Sequence, residues 1–516
     1  AVEIVFNEKQ VEQGDIFLLG SVEEQPATVT ITATKVKYGP YAFTGCEALS
    51  EFYVNAAVLP EGMFYECEGM KEVVIGPDVN NIGEFAFRDT KISSFKVEEG
   101  NTAYQPGEKK YVLSADGKTL VAVAPTMTGV FTTKDINGAE VTVIGDGAFS
   151  HNVEITSVEL PTVTAVGDYA FGSSDEIASV TLGDLTSIGE YAFFETAITQ
   201  LPKFTADTYI GKYAFSFTEI TSVSIPNKME INEGVFSECL KLQEVVIGND
   251  VVIGKYAFTT NKDNIFVVKP YLDTEYYCYE FSGSLKSLTI GDNAVIGENA
   301  FSYAAGLETV ILGSNAKIEK MAFYNTVNLR QIDLSKAQSI GDYAFSGDVY
   351  MVCMDTEMAY GAVSSDGYYI YSYYAPKLET VDLSAATTIG EYAFAYCMDL
   401  KQVVLGDEIT QIPTYAFTSC TSLTDINLDK VVTIADYAFS ESGSLAYVNL
   451  SAAQTIGEYA FVNGAQLQTV VLNPNGSKLS EGAFCYNAQL NKVENLFAAT
   501  EIGDYAFAYT ALTEAD

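Results

Sequence analysis

The stretch Ile389-Gly390-Glu391-Tyr392-Ala393-Phe394 is followed six residues later by Leu400, Val403 and Leu405, and this pairing decides how the chain folds. The first phrase recurs as Ile-Gly-acid-Tyr-Ala-Phe at 188–193, 456–461 and 502–507. Its closing phenylalanine, followed from Phe43 through Phe149, Phe258, Phe281, Phe301 and Phe394 to Phe507, marks nineteen units. Successive markers lie 20 to 23 residues apart, except for 62 between Phe87 and Phe149 and 49 between Phe345 and Phe394. The second phrase alternates apolar positions as a short half-buried strand does. One strand per unit cannot close a core by itself, whereas stacked copies bury a continuous column of Ile, Phe, Leu and Val. The residue before the marker is alanine in sixteen of the nineteen units, the exceptions being Met63, Val235 and Glu280. A methyl group there lets neighbouring coils approach closely. The glycine after the isoleucine is read as serving unusual backbone angles. The acid beside it (Asp168, Glu190, Asp342, Glu391, Glu458, Asp504) is read as opening a helical turn, where peptide dipoles favour negative charge. The expected fold is an α/β solenoid of about nineteen coils of 22–23 residues, each with a short parallel strand and a short helical, aromatic turn.

Composition removes whole classes of chemistry. The 516 residues exceed one ordinary core. The net charge of −40 repels phosphate backbones and anionic membranes, so nucleic acid is excluded as a partner. Arg88 and Arg330 are the only arginines and His151 the only histidine. A multi-histidine metal site is therefore impossible in one chain, and a Ser-His-Asp set would depend on one residue in a variable turn. The acids beside the repeat glycines form a ladder, but no calcium-loop pattern accompanies it. No catalytic set, metal or cofactor is expected. No apolar run reaches the roughly 18 residues of a membrane span, so direct membrane insertion is not expected. The chain begins at Ala1, which is read as following a removed signal peptide.

Ile-Gly-x-x-Ala-Phe followed by Leu-x-x-Val-x-Leu resembles the BspA-like, or treponemal-type, leucine-rich repeat of bacterial surface proteins. The resemblance covers about residues 36 to 512 apart from two interruptions. It implies a bacterial protein that is secreted or anchored at the cell surface, typically an adhesin or interaction module. It implies no functional residues, because the recurring positions are structural.

Departures from the repeat carry the candidate sites. Residues 1–39 are read as an N-terminal β cap, 40–97 as repeats, 98–140 as a hairpin insertion, 141–345 as repeats, 346–374 as a tyrosine-rich insertion and 375–516 as repeats. In the first insertion, Asp116-Gly117 between two apolar runs signals a hairpin, read chiefly as a lateral decoration. The second holds Tyr368, Tyr369, Tyr371, Tyr373 and Tyr374, a composition suited to protein or glycan contact. The alternative is a strand packing half its rings on the solenoid. The final turn stops nine residues after Phe507, so the chain either continues or is capped by that turn. Outward-facing strand positions form a row that includes Asp333, Asp382, Asn427 and Asn449, a candidate track for an extended partner. Five of the eight cysteines stand three residues after a marker, where other units place Thr, Ser or Asn. Cys46/Cys67 and Cys397/Cys420 fall on adjacent coils, so disulfides are geometrically open to them.

The leading expectation is a non-enzymatic, adhesin-like binding protein presenting a long acidic solenoid to an extracellular or host protein or a glycan. The alternatives are a surface spacer without a ligand, or a polysaccharide-active β-helix enzyme using Asp333 and Asp382 near Arg330.

Overall fold

A computed structural model describes residues 3–6, 28–31, 37–260, 265–268, 276–279, 283–352 and 370–515. The chain divides into two compact units, residues 1–221 and 222–516. Each is a β-solenoid in which most coils add one strand to a long sheet and a shorter strand, usually of two residues, to a second.

In the first unit, Glu3–Phe6 and Thr28–Ile31 lie parallel and in register with Glu51–Val54, Glu72–Ile75 and Ser94–Val97. Tyr111–Leu113 and Thr119–Val123 form an antiparallel pair around Gly117. This hairpin does not stand aside from the solenoid as expected. Thr119–Val123 pairs in parallel with Val143–Ile144, and Gly129–Thr132 with Ile155–Leu160. The reason is apolar: Leu120 and Phe131 are buried, and the Phe131 ring meets Phe149 edge-on at 5.1 Å. The segment thus replaces a coil.

In the second unit, Ser222–Ile225, Glu244–Ile247, Ser287–Ile290, Thr309–Leu312 and Gln331–Ile332 form one parallel sheet. The two-residue strands from Glu230–Ile231 to Thr388–Ile389 form another. Glu244–Ile247 pairs directly with Ser287–Ile290, and the Phe258 ring stacks on Phe301 at 5.0 Å and 4°. The described column thus passes directly from Phe258 to Phe301, and Phe281, read as a marker between them, lies outside the described residues. Between Phe258 and Phe301 the chain makes an antiparallel pair, Ile265–Val268 with Tyr276–Tyr279. This interruption is close to one coil in length, so it imitated the period. Among the described residues, eighteen coils remain.

Stacked phenylalanines make the core. Ring centroids in the series Phe394, Phe417, Phe439, Phe461 lie 5.5, 5.5 and 5.0 Å apart within 9° of parallel. In these coils the residue before the marker is buried and its carbonyl accepts from the preceding coil: Phe345 N donates to Ala393 O at 2.8 Å, and Phe394 N to Ala416 O at 2.9 Å. A buried phenylalanine contributes about 2–3 kcal/mol, so this column carries much of the stability.

The expected helical turn is not formed. The only helical element among the described residues is a single 3-10 turn, Leu496–Ala498. In each of the eighteen coils the residue two before the marker has positive φ, from Tyr41 at 58° to Tyr505 at 56°, which a right-handed helix cannot contain. Amides instead alternate. Tyr392, Phe394 and Tyr396 donate to Thr414, Ala416 and Thr418 of the next coil, while Ala395 and Cys397 close short turns to Tyr392 and Phe394. The turn is laddered like a sheet edge, so α/β is corrected to an all-β solenoid.

Two further readings change with it. The glycine after isoleucine has no positive φ; it is needed for clearance, since a Cβ on Gly189 would lie 2.4 Å from Asp168 Oδ1 and 2.5 Å from Gly167 C. The neighbouring aspartate caps no helix. Asp168 Oδ1 accepts the Glu190 amide at 2.7 Å, and Asp342 Oδ1 accepts that of Glu391 at 2.9 Å.

Candidate functional site

The ladder of turns brings together residues that periodicity presented only as repeat furniture. Tyr343, Tyr392, Tyr415, Tyr437 and Tyr459 stack over five successive coils, with centroids 4.5, 4.6, 4.8 and 5.4 Å apart and planes within 16°. All five are half-buried. Tyr169, Tyr191 and Tyr213 form a shorter stack in the first unit, at 4.8 and 5.1 Å. At Gly62 and Gly482, which take this position, the ring of the preceding coil lies over the glycine. A Cβ on Gly482 would fall 2.4 Å from the Tyr459 ring, whose hydroxyl donates to Glu481 Oε1 at 2.7 Å. Burial pushes the Tyr392 hydroxyl up to about 12, helped by the neighbouring tyrosines, so it stays protonated and neutral. The signal was available in the recurring tyrosine, but one sequence does not say that the rings stack.

The residues expected to bind are dispersed. Tyr371, Tyr373 and Tyr374 lie on Ile370–Tyr374, which pairs antiparallel with Asp348–Val352 in the register Met351–Tyr371, Val349–Tyr373 and Asp348–Tyr374. Tyr368 and Tyr369 lie outside the described residues. Asp333 and Asp382 are exposed, and each closes a turn on its own chain: Asp333 Oδ1 accepts Ser335 N at 3.0 Å, and Asp382 Oδ1 accepts Ser384 N at 2.9 Å. The Ser335 hydroxyl, then its amide, hold the Asp333 carboxyl below its ordinary range. Asn449 Oδ1 accepts Ser451 N at 3.1 Å in the same way. Asn427 clamps its neighbour, taking the Leu405 amide at 2.7 Å and giving Nδ2–H to the Leu405 carbonyl at 3.0 Å. These four groups serve the backbone first.

The cysteine position is explained by the marker carbonyl. Thr90 and Thr326 donate to the phenylalanine carbonyl of their own coil, and Ser174 to that of the preceding one. Cys67, Cys397 and Cys420 do the latter, with Cys420 Sγ 3.2 Å from Phe394 O. A small donor is the requirement, and the six described cysteines are buried thiols without disulfides. His151 Nε2 lies 2.7 Å from Asp89 Oδ1, on a turn at φ 56°. Arg88 sits 5.4 Å over the Tyr65 ring. In the first unit, Glu84 is half-buried, and its carboxyl is pushed up to about 7 by that burial and by Asp146, Asp168 and Glu61.

The family profile described as "BspA type Leucine rich repeat region (6 copies)" matches residues 24–107, 142–265, 272–355 and 387–513. Among solved structures, the chain is similar to a leucine-rich repeat protein from Bacteroides ovatus ATCC 8483, with 18% identity over 79% of this chain and 90% of that one and a TM-score of 0.45. It is also similar to a leucine-rich cell surface protein from Faecalibacterium prausnitzii A2-165, with 19% identity over 87% and 88% and a TM-score of 0.24. A leucine-rich repeat protein of T. pallidum shares 27% identity over 36% of this chain and 72% of that one, with a TM-score of 0.25. No curated protein matches the sequence.

Proposed function

The chain belongs to the BspA-type leucine-rich repeat family, and from that premise we propose that it is a non-enzymatic, adhesin-like binding protein of the bacterial surface or its surroundings. Its partner is an extracellular or host protein or a glycan. The observation that carries this reading is the outward face of the long sheets in the second unit. Strand alternation turns every second side chain to solvent there, and several of those side chains are apolar: Ile311 is 61% exposed, Tyr447 54%, and Val246 and Val404 39% each. Val246 and Ile311 flank Thr289 as register partners on adjacent strands of one sheet, and Val404 and Tyr447 lie on two other sheets of the unit. The enzyme alternative draws no support from Asp333 and Asp382, whose carboxylates each serve a local turn. No helix among the described residues is long and apolar enough to cross a membrane.

The test is binding of the full chain to a panel of extracellular-matrix proteins and mucin-type glycans, beside a variant with residues 348–374 replaced by a short turn. Saturable binding lost with that segment assigns the site to the tyrosine-rich insertion. Binding retained assigns it to the solenoid surface. Silence from both sinks the adhesin reading and leaves the spacer.

A further inference from the structure

We infer that Cys46 and Cys67 form a peroxide-sensitive thiol pair, whose oxidation to a disulfide ties the first coil of the solenoid to the second. This goes beyond the reading of the chain as a binding protein and is independent of its ligand.

The ladder sets the geometry. Both cysteines stand three residues after a marker, in neighbouring coils. Across this turn the coils are joined by Phe43 N to Met63 O and Gly45 N to Tyr65 O, each at 2.9 Å. Equivalent residues of paired coils lie about 4.8 Å apart, inside the roughly 4.4–6.8 Å that a disulfide spans between Cα atoms. One oxygen gathers the two residues: Phe43 O accepts the Cys46 amide at 3.2 Å and the Cys67 thiol at 2.9 Å. The thiols also meet each other. The hydrogen bond with Cys67, outweighing burial, pulls the Cys46 thiol below its ordinary range, and the same bond, then burial, pushes Cys67 up.

Cys397 and Cys420 are the internal comparison. Phe394 O likewise takes the Cys397 amide and the Cys420 thiol, both at 3.2 Å. Cys397 Sγ, however, is turned to Phe345 O of the preceding coil at 3.3 Å, and burial pushes both thiols up. Phe43 is the first marker, so no earlier marker carbonyl exists for Cys46. Its thiol is left to Cys67, and Cys46 is 8% exposed where Cys67, Cys397 and Cys420 are 0%. A lowered thiol with access is what selects a cysteine for oxidation.

The Cys46 thiolate, its proton given to solvent, attacks one oxygen of hydrogen peroxide. The O–O bond breaks, Cys46 becomes a sulfenic acid, and the departing hydroxide takes up a proton as water. Cys67 then loses its proton, its sulfur attacks the Cys46 sulfur, and the S–O bond breaks with release of a second water. Two thiols give up two electrons, and one peroxide is reduced to two waters. The first coil is where such a link matters. Phe43 has a marker ring on one side only, Phe64 at 5.9 Å and 20°, a looser stack than the interior series at 5.0–5.5 Å and within 9°.

The experiment treats the full chain with hydrogen peroxide, quenches it and alkylates the remaining thiols after denaturation. A non-reduced digest with a glutamate-specific protease is then read by mass spectrometry. The expected result is a Cys46–Cys67 cross-link, reversed by dithiothreitol, with Cys397 and Cys420 still alkylated. In the oxidised chain, hydrogen exchange across residues 41–54 should slow by about tenfold or more and recover on reduction. Cys67→Ser keeps a small donor for Phe43 O, as Ser174 is for Phe149 O. It should match the wild type in circular dichroism, leave Cys46 trapped by dimedone as a sulfenic acid, and show no peroxide effect on exchange. Cys397 and Cys420 cross-linking as fast as Cys46 and Cys67 would overturn the proposal. So would both thiols surviving peroxide, Cys46 carried to a sulfinic acid while Cys67 stays a thiol, or a link that forms between chains.

Discussion

Adding one methyl group at Gly457 is expected to unfasten two coils. A Cβ there would stand 2.5 Å from Asp436 Oδ1, and 2.6 Å from both Ala435 C and Asp436 N. Ordinary contact begins about 1 Å farther out, and two of the three obstacles are backbone. Relief requires the coils to separate, which stretches the bond from Gly457 N to Ile434 O at 2.8 Å and that from Glu458 N to Asp436 Oδ1 at 2.7 Å. Overpacking costs about 1–3 kcal/mol, and two weakened hydrogen bonds add about 1 kcal/mol each. Gly457→Ala should therefore lose roughly 3–5 kcal/mol in this region. Gly443 is the control: its nearest obstacle is Ala465 Cβ at 3.7 Å, and its φ is not positive. Gly443→Ala should gain about 0.4–1 kcal/mol by restricting the unfolded chain. Because coils touch only their neighbours, the assay is urea unfolding followed by circular dichroism, together with hydrogen exchange of peptides across residues 432–465. Gly457→Ala matching the wild type in both measurements, or Gly443→Ala falling equally far, would refute the clearance argument.

Glu84 is expected to make the first unit less stable as pH rises. Its folded value, about 7, lies above the ordinary 4.5, so the folded state binds the proton more tightly. The resulting stability is complete below about pH 4.5 and is lost as pH passes through about 7. Discounted for solvent screening of a half-exposed group, the change is on the order of 1–2 kcal/mol. Thermal unfolding from pH 4 to 8 should show that slope, and Glu84→Gln should flatten it; an identical slope in the variant refutes the assignment. Asn427→Ala should cost about 1–3 kcal/mol by releasing both polar groups of Leu405, and Asn427→Asp should cost a comparable amount by setting a charge against the Leu405 carbonyl. Equilibrium unfolding of the two variants checks this, and near-wild-type stability in either would count against the clamp.

The solenoid was legible because its evidence is periodic. Phenylalanine, alanine and the Leu-x-x-Val-x-Leu strand recur at a spacing that only stacked copies reward, and the bond from Phe394 N to Ala416 O follows from that stacking. Periodicity counted one coil too many between Phe258 and Phe301, where the interruption matched the period. Glu280 in place of alanine was the sign that the marker at Phe281 differed. The hairpin at Asp116-Gly117 was legible from its turn chemistry, but its entry into the sheets depended on where Leu120 and Phe131 came to rest.

By itself the sequence determined that identical short strands must stack in parallel, because a unit of about 22 residues has no other way to bury its apolar face. Only the tertiary structure decided what the turns are. Whether Ile-Gly-acid-Tyr-Ala-Phe winds into a helix or lies flat depends on what its amides meet, and they meet the carbonyls of the next coil. That contact sets tyrosine at positive φ, excludes a Cβ at the glycine, turns the aspartate toward a neighbouring amide and aligns rings from residues far apart in sequence into one surface.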